Sequence, residues 1–326
     1  MRNSNIELLR ILCMFMIILW HLNIAVEQNG VSPFILKDTI YSLTAVAVNC
    51  FILISGYWGI RFKLKSIITL FLQCLFYSIV TGLCVHYITG AHWDIIKILL
   101  PISTNQWWFI TTYIMLYLSA PLLNKAIENT KNLSYNILAF SLICVYFGYI
   151  FKNPNNSSGH SYLQFVFIYI IGRSTYKYLQ HNDELKHEKL QYLVGGGIWL
   201  IIYILLSGIN MFVIKSYRYN NPIVILAAFS LFMFFRNLNI RNNIYINKIS
   251  KTVLAAYLIH EHYMIRPLLA EYVSTIHCSY SLTNETIVYI CLAILILAIA
   301  FIIEQIRNIL FTPIYSIINK STKQQI

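Results

Sequence analysis

Arg10 and His21 are the residues whose types and spacing most plainly could do chemistry. One is a permanent cation; the other takes or gives a proton near neutral pH. They bracket the otherwise apolar run Arg10-Ile-Leu-Cys-Met-Phe-Met-Ile-Ile-Leu-Trp-His21. Eleven positions separate them, which on a helix is about 20° around the axis and about 16 Å along it. Met14 and Ile17 lie between them on that face. Ionisable groups in an apolar span are costly unless they look into a protein-lined or wet interior. Arg10 alone is accounted for by snorkelling to the headgroups, and His21 alone by an interhelical hydrogen bond. The pair on one face points beyond these separate structural roles, towards function.

Three other stretches carry polar groups out of place. The run Phe51-Ile-Leu-Ile-Ser55-Gly56-Tyr57-Trp58 leads into the basic turn Arg61-Phe-Lys63-Leu-Lys65. Alternating cations there fit a cytoplasmic topology signal and a phosphate-binding rim equally well. At Gln106-Trp107-Trp108-Phe109 the tryptophan pair reads first as an interfacial belt and second as a stacking surface for a sugar. The stretch 250–267 contains His260-Glu261-His262. This is not His-Glu-x-x-His, so a zinc-protease helix face is absent and no metal site is expected. Two residues apart on a helix is roughly 200°, so His260 and His262 do not share a ligand. At least one is expected to make an interhelical hydrogen bond. Glu261 requires a partner that the sequence does not name.

The elements that must position these residues are membrane spans. Of 326 residues, 58% are hydrophobic and 11% charged, and the mean hydropathy is +0.63. A soluble domain would carry about twice that charge. Apolar runs of spanning length fall at 6–26, 40–58, 66–88, 107–123, 133–151, 162–179, 190–209, 221–236, 252–270 and 287–311. The expectation is an all-α integral-membrane bundle of about ten transmembrane helices forming a single domain, 1–326. The first run is too long for a signal-peptide core and is expected to remain as a span. With the N-terminus cytoplasmic, eighteen of the 24 Lys and Arg fall on the inner side, so both termini are expected inside. The net charge of +12 forms no patch with interleaved aromatics, which argues against nucleic acid. Seven cysteines, mostly inside apolar runs and without Cys-x-x-Cys, suggest neither disulfides nor zinc. Gly195-Gly196-Gly197 lacks the context of a phosphate loop and is expected to allow close helix packing.

These residues carry a resemblance. Arg10 and His21 with ten residues between them, Ser55-Gly56-Tyr57, Trp108-Phe109 with Tyr117-Leu-x-x-Pro121, and Tyr257-Leu-Ile-His260 together resemble the acyltransferase 3 family over essentially the whole chain. That family comprises integral-membrane O-acyltransferases that modify bacterial surface polysaccharides and other acceptors. The extracytoplasmic esterase-like domain fused to some members is not expected here. The resemblance implies a multi-pass protein of the plasma (inner) membrane. Its donor would be acetyl-CoA or another cytoplasmic acyl-CoA, its acceptor a hydroxyl of a cell-surface or lipid-linked glycan, and no metal would be needed. Arg10, with Ser55, Gly56, Tyr57, Arg61, Lys63 and Lys65, would hold CoA, and the thioester would lie near His21. Trp107, Trp108, His260 and Glu261 are acceptor-side candidates. His21 would act as general base, or would form an acyl-histidine intermediate. A transporter or flippase for a lipid-linked sugar is the alternative, and a membrane-anchored assembly partner with decayed catalytic residues is a third reading. A homodimer is open to either activity.

Overall fold

A computed structural model describes residues 3–28, 35–130, 137, 140–152, 156, 158–181, 189–279 and 282–323. All elements among the described residues are helical. In chain order they are α1 (Ser4–Gln28), α2 (Ile35–Thr44), α3 (Ala47–Trp58), α4 (Leu64–Thr89), the short α5 (Ile95–Leu99) and α6 (Trp108–Asn129). There follow α7 (Phe140–Ile150), α8 (Tyr162–His181), α9 (Lys189–Ile209), α10 (Pro222–Asn237), α11 (Ile244–Ile249), α12 (Val253–His260), α13 (Ile265–Ser279) and α14 (Leu282–Lys323). Two π-helical turns close α7 and extend α9.

Five described helices are long and apolar enough to cross a membrane, at Ser4–Ile24, Lys37–Trp58, Leu64–Thr89, Gly196–Ile214 and Asn284–Ile314. This is half the number of apolar runs in the sequence. For two of the five missing runs the cause is local. Of the run 133–151, residues 133–136 and 138–139 lie outside the described residues. The run 252–270 is broken: α12 stops at His260, a turn covers 261–264, and α13 starts at Ile265. Pro267 is the third residue of α13, where its missing N–H falls among donors that a helix start leaves unpaired anyway.

The chain forms two compact units, the first of Met1–Asn23, Pro33–Arg61 and Thr112–Asn247, the second of Ile24–Ser32, Phe62–Thr111 and Lys248–Ile326. In the first unit α3 packs on α8 and α10, and α10 on α9. The α3–α8 crossing is backbone on backbone. A Cβ on Gly56 would overlap the Tyr169 carbonyl, and one on Gly172 would lie 2.5 Å from the Leu53 carbonyl oxygen. Small residues admit this approach, and without an aqueous hydrophobic effect such packing holds membrane helices together. The expected close packing at the glycine run is weaker. A Cβ on Gly196 would find α10 at ordinary distance, 3.7 Å, and one on Gly197 would meet nothing within 4 Å.

Helix ends in this unit are capped from other helices. Asn5 donates to the carbonyls of Phe235 and Leu238 past the end of α10, at 2.8 and 2.9 Å. Lys177 donates to the carbonyls of Ile127, Glu128 and Thr130 at the end of α6, and Arg173 pairs with Glu128 at 2.8 Å. Such contacts satisfy the carbonyls that a helix end leaves over.

The second unit is pinned by an ion pair in an apolar stretch. Glu304 and Arg307 of α14 are buried and 2.6 Å apart. Oε1 of Glu304 also accepts from Gln73 Nε2 at 3.1 Å, and Oε2 from the Tyr77 hydroxyl at 2.8 Å and Arg307 Nε at 2.8 Å. Every carboxylate oxygen is thus used, and α4 is tied to α14.

Two substitutions test these locks by thermal unfolding in detergent. Gly56→Ala is expected to destabilise by about 1–3 kcal/mol through overpacking; an unchanged melting temperature would refute the backbone crossing. Arg307→Ala strips Glu304 of its counter-charge and is expected to cost about 3–5 kcal/mol. Arg307→Ala combined with Glu304→Ala is expected to recover part of that loss, and a double variant worse than the single would contradict the pairing.

Candidate active site

In the first unit the site starts from α1. Its buried residues Ile6, Leu9, Cys13, Met14, Ile17, Ile18 and Leu22 recur at helical spacing and mark one face turned to protein. Met14 and Ile17, the two residues between Arg10 and His21 on their strip, are 4% and 7% exposed. Arg10 and His21 are half-buried, so the strip is shut in the middle and accessible at its ends.

Around Arg10 the structure gathers groups from two other helices and one from its own. Glu7, one turn earlier, lies 3.5 Å from the Arg10 guanidinium, and the Arg10 side chain keeps 34% of its exposure. Ser55 of α3 donates back to the Phe51 carbonyl at 2.9 Å, and its hydroxyl lies 3.3 Å from that of Tyr113 on α6. Tyr113 is in turn near enough to feel the charge of Arg10. Arg10, Ser55 and Tyr113 therefore share one neighbourhood. Neither Glu7 nor Tyr113 stands out in the sequence. The available signal for Tyr113 is its place one turn before Tyr117, on the same side of α6.

The other residues expected to hold CoA are placed differently. Gly56 is the α3–α8 crossing described above. Tyr57 accepts from Arg236 Nε of α10 at 2.9 Å, with the guanidinium 5.7 Å from its ring. Arg61 is exposed, and its carbonyl accepts from the Tyr117 hydroxyl at 3.0 Å. The neighbouring Ile60 carbonyl accepts from Asn124 Nδ2 at 3.0 Å, and the Ile60 N–H donates to the Tyr169 hydroxyl at 2.9 Å. The backbone leading into the basic turn is thus fixed by three side chains. Lys63, exposed, and Lys65, half-buried, belong to the second unit.

The second unit brings its own candidates together. Trp108 packs edge-on to Phe109, Phe109 to Tyr257 and Tyr257 to His260, each with centroids 6.0 Å apart. The Trp107 ring lies 6.2 Å from His262. His260 is 2% exposed, and its Nδ1 pairs with the Ala256 carbonyl at 2.6 Å, which leaves Nε2 as the basic nitrogen. His262 is fully buried, with Nδ1 accepting from the Met264 N–H at 3.2 Å and Nε2 meeting the Ser78 carbonyl at 3.3 Å. This is the expected interhelical bond, and it employs both nitrogens in structure. Glu261 has Arg266 at 3.9 Å, the partner the sequence left unnamed. The buried Trp107 Nε1 and Gln106 Nε2 have no hydrogen-bond acceptor among the described residues, so two donors here remain available to a ligand's oxygen.

The arrangement offers a half-exposed cation beside two hydroxyls in one unit, and histidine, carboxylate and unpaired donors in the other. It is an acid–base inventory in which the hydrogen bonds described above set no cysteine or serine side chain against a histidine. Comparison with known proteins gives it a frame. The family described as an acyltransferase domain matches residues 3–305. No curated protein and no solved structure matches the chain significantly. With nearly its whole length covered and its apolar helices in place, the chain belongs to the acyltransferase 3 family and is a multi-pass membrane acyltransferase.

Proposed function

We propose that this protein moves an acyl group, acetyl in the simplest case, from cytoplasmic acyl-CoA to a hydroxyl of a cell-surface or lipid-linked glycan at the plasma membrane. The observation that carries this reading is the strip on α1, with Arg10 half-exposed at one end, His21 at the other and a buried apolar stretch between. Arg10 meets a phosphate of CoA, with the exposed cations of the turn after α3 adding attraction. The pantetheine arm follows the strip, which must open at Met14 and Ile17 to admit it, and the thioester lies near His21.

There His21 takes the proton of the acceptor hydroxyl as its oxygen bonds to the thioester carbonyl carbon. The carbon–sulfur bond breaks, CoA leaves as thiolate, and the proton on His21 returns to it. The strip restricts the donor to one track, so the two reactants meet at one end of α1 rather than by free encounter. Trp107, Trp108, His260 and Glu261 serve the acceptor.

Activity assays on purified protein in nanodiscs separate the roles. His21→Ala is expected to abolish acyl transfer with unchanged yield of folded protein; retained turnover would remove His21 from the chemistry. Arg10→Ala is expected to raise the KM for acyl-CoA by roughly tenfold or more, the equivalent of one charge-assisted hydrogen bond, with a smaller change in kcat. Glu7→Gln is expected to lower that KM, because the carboxylate competes with phosphate for Arg10. An unchanged KM in both variants would refute the donor site.

A transporter or flippase for a lipid-linked sugar has one observation in its favour, the helix break between α12 and α13. Transporters of that kind pair such a break with a second in the other half. Glu304, the acid near the C-terminal end of the last apolar run 287–311, has both its oxygens engaged. Movement of a lipid-linked sugar without acyl-CoA turnover would decide for this reading.

A further inference from the structure

Five rings gather at the His21 end of α1 within the first unit, and none takes part in the chemistry above. Trp20 immediately precedes His21 and lies about 15 Å along α1 from Arg10. Its ring is 4.5 Å from Tyr41 of α2 and 6.2 Å from Tyr219, in the link before α10. Tyr41 is 5.3 Å from Tyr217 of the same link, and Tyr219 is 4.7 Å from His160, just before α8. Tyr41 and Tyr219 are buried, Trp20 and Tyr217 half-buried, and His160 exposed. The cluster therefore has a closed floor and an accessible rim.

The link that carries two of the rings is held rigidly. The Tyr219 carbonyl accepts from two buried amides, Asn49 at 2.9 Å and Gln164 at 3.0 Å, and its N–H donates to Ser158 at 3.2 Å. Asn220 donates to the Asn156 carbonyl at 2.5 Å. Asn221 caps α10 through the Ile223 N–H and also donates to Ser216 and Asn210. Fixing two tyrosines this firmly removes the ordering cost that a mobile aromatic loop would lose on binding.

The surroundings favour hydroxyls over ions. Gln164 Oε1, Asn220 Oδ1, Asn156 Nδ2 and Asn210 Nδ2 are buried without a partner among the described residues. This mixed set of two acceptors and two donors marks a neighbourhood rich in neutral hydrogen-bonding capacity, and hydroxyls, being both donor and acceptor, match it. A quaternary ammonium fits less well, because Lys37 already stands 5.9 Å over the Tyr41 ring. A polyphosphate fits less well again, because Asp38 faces the Tyr217 hydroxyl.

We propose that Trp20, Tyr41, Tyr217, Tyr219 and His160 form a binding subsite for an uncharged pyranose ring of the acceptor. This rests on the acyl-transfer reading only for the word acceptor, since the subsite itself is a claim about sugar binding. The sugar's C–H face stacks on the rim rings, and its hydroxyls reach the amides behind them. Through Trp20 it gives the acceptor a foothold at the end of α1 opposite the donor's anchoring cation.

The test uses the full chain in nanodiscs and saturation-transfer NMR with two uncharged probes, a glucose tetramer and an N-acetylglucosamine tetramer. At least one is expected to receive saturation from the wild-type protein and to be unaffected by excess choline. Tyr217→Ala and Trp20→Leu are expected to weaken its binding by roughly fivefold or more, in line with the loss of a ring face. Tyr217→Phe, which keeps the ring and removes the hydroxyl, is expected to stay within about twofold, and melting temperatures confirm that the variants are folded. Absence of transfer to both tetramers, displacement by choline, or equal transfer to wild type and Tyr217→Ala would each overturn the subsite. Acyl-CoA turnover by the wild type is measured alongside. Sugar binding without turnover would sink the acyl-transfer reading and leave the subsite standing, while turnover without sugar binding would do the reverse.

Discussion

Hydrocarbon offers no hydrogen bonds, and that constraint governs most of what this chain does with its polar residues. Each group carried into an apolar helix must find its partner in the protein. Asn5 and Lys177 reach helix-end carbonyls on other elements, Asn124 and Tyr169 hold the backbone at Ile60, and Asn49 and Gln164 converge on the carbonyl of Tyr219. Side chains thus do between helices what water does at the ends of a soluble helix. The chain's low charge content leaves few groups for this work, so amides and hydroxyls perform most of it.

Against this background, the degree to which a polar group is satisfied separates its structural uses from its chemical ones. Arg307 is 3% exposed and locked to a carboxylate with no acceptor capacity to spare. Arg10 meets its carboxylate at 3.5 Å and keeps a third of its side chain open. The two arginines are the same residue in similar apolar runs, and only the second has capacity to offer an arriving anion. His262 spends both nitrogens on backbone partners, and His260 commits Nδ1 to a carbonyl of its own helix. Glycines divide too: Gly56 lies where two backbones touch, whereas Gly197 has open space beside it.

Much of the helical layout could be read from apolar run length, since a stretch such as 66–88 has little choice in a bilayer and becomes α4 with ends within two residues. The stripe on α1 was legible for the same reason, because helical periodicity alone places Arg10, Met14, Ile17 and His21 together. The break at 261–264 was not legible as a break, since His260-Glu261-His262 reads equally as polar residues within a continuous helix and Pro267 falls where a helix start tolerates it. Glu304 was passed over because a single acid near the end of a long apolar run looks like a terminus. Its partners Gln73 and Tyr77 lie more than two hundred positions away.

By itself, then, the sequence determined that this chain is helical, that it lives in a membrane, and which helix carries a cation and a base on one side. Those properties are local: hydropathy and a period of 3.6 residues need no knowledge of neighbours. Tertiary structure alone decided that Ser55 meets Tyr113, that Arg236 meets Tyr57, and that rings from α2 and two links collect around Trp20. Such meetings depend on which helices cross and at what depth. That depends on small residues and buried hydrogen bonds whose partners are far apart along the chain.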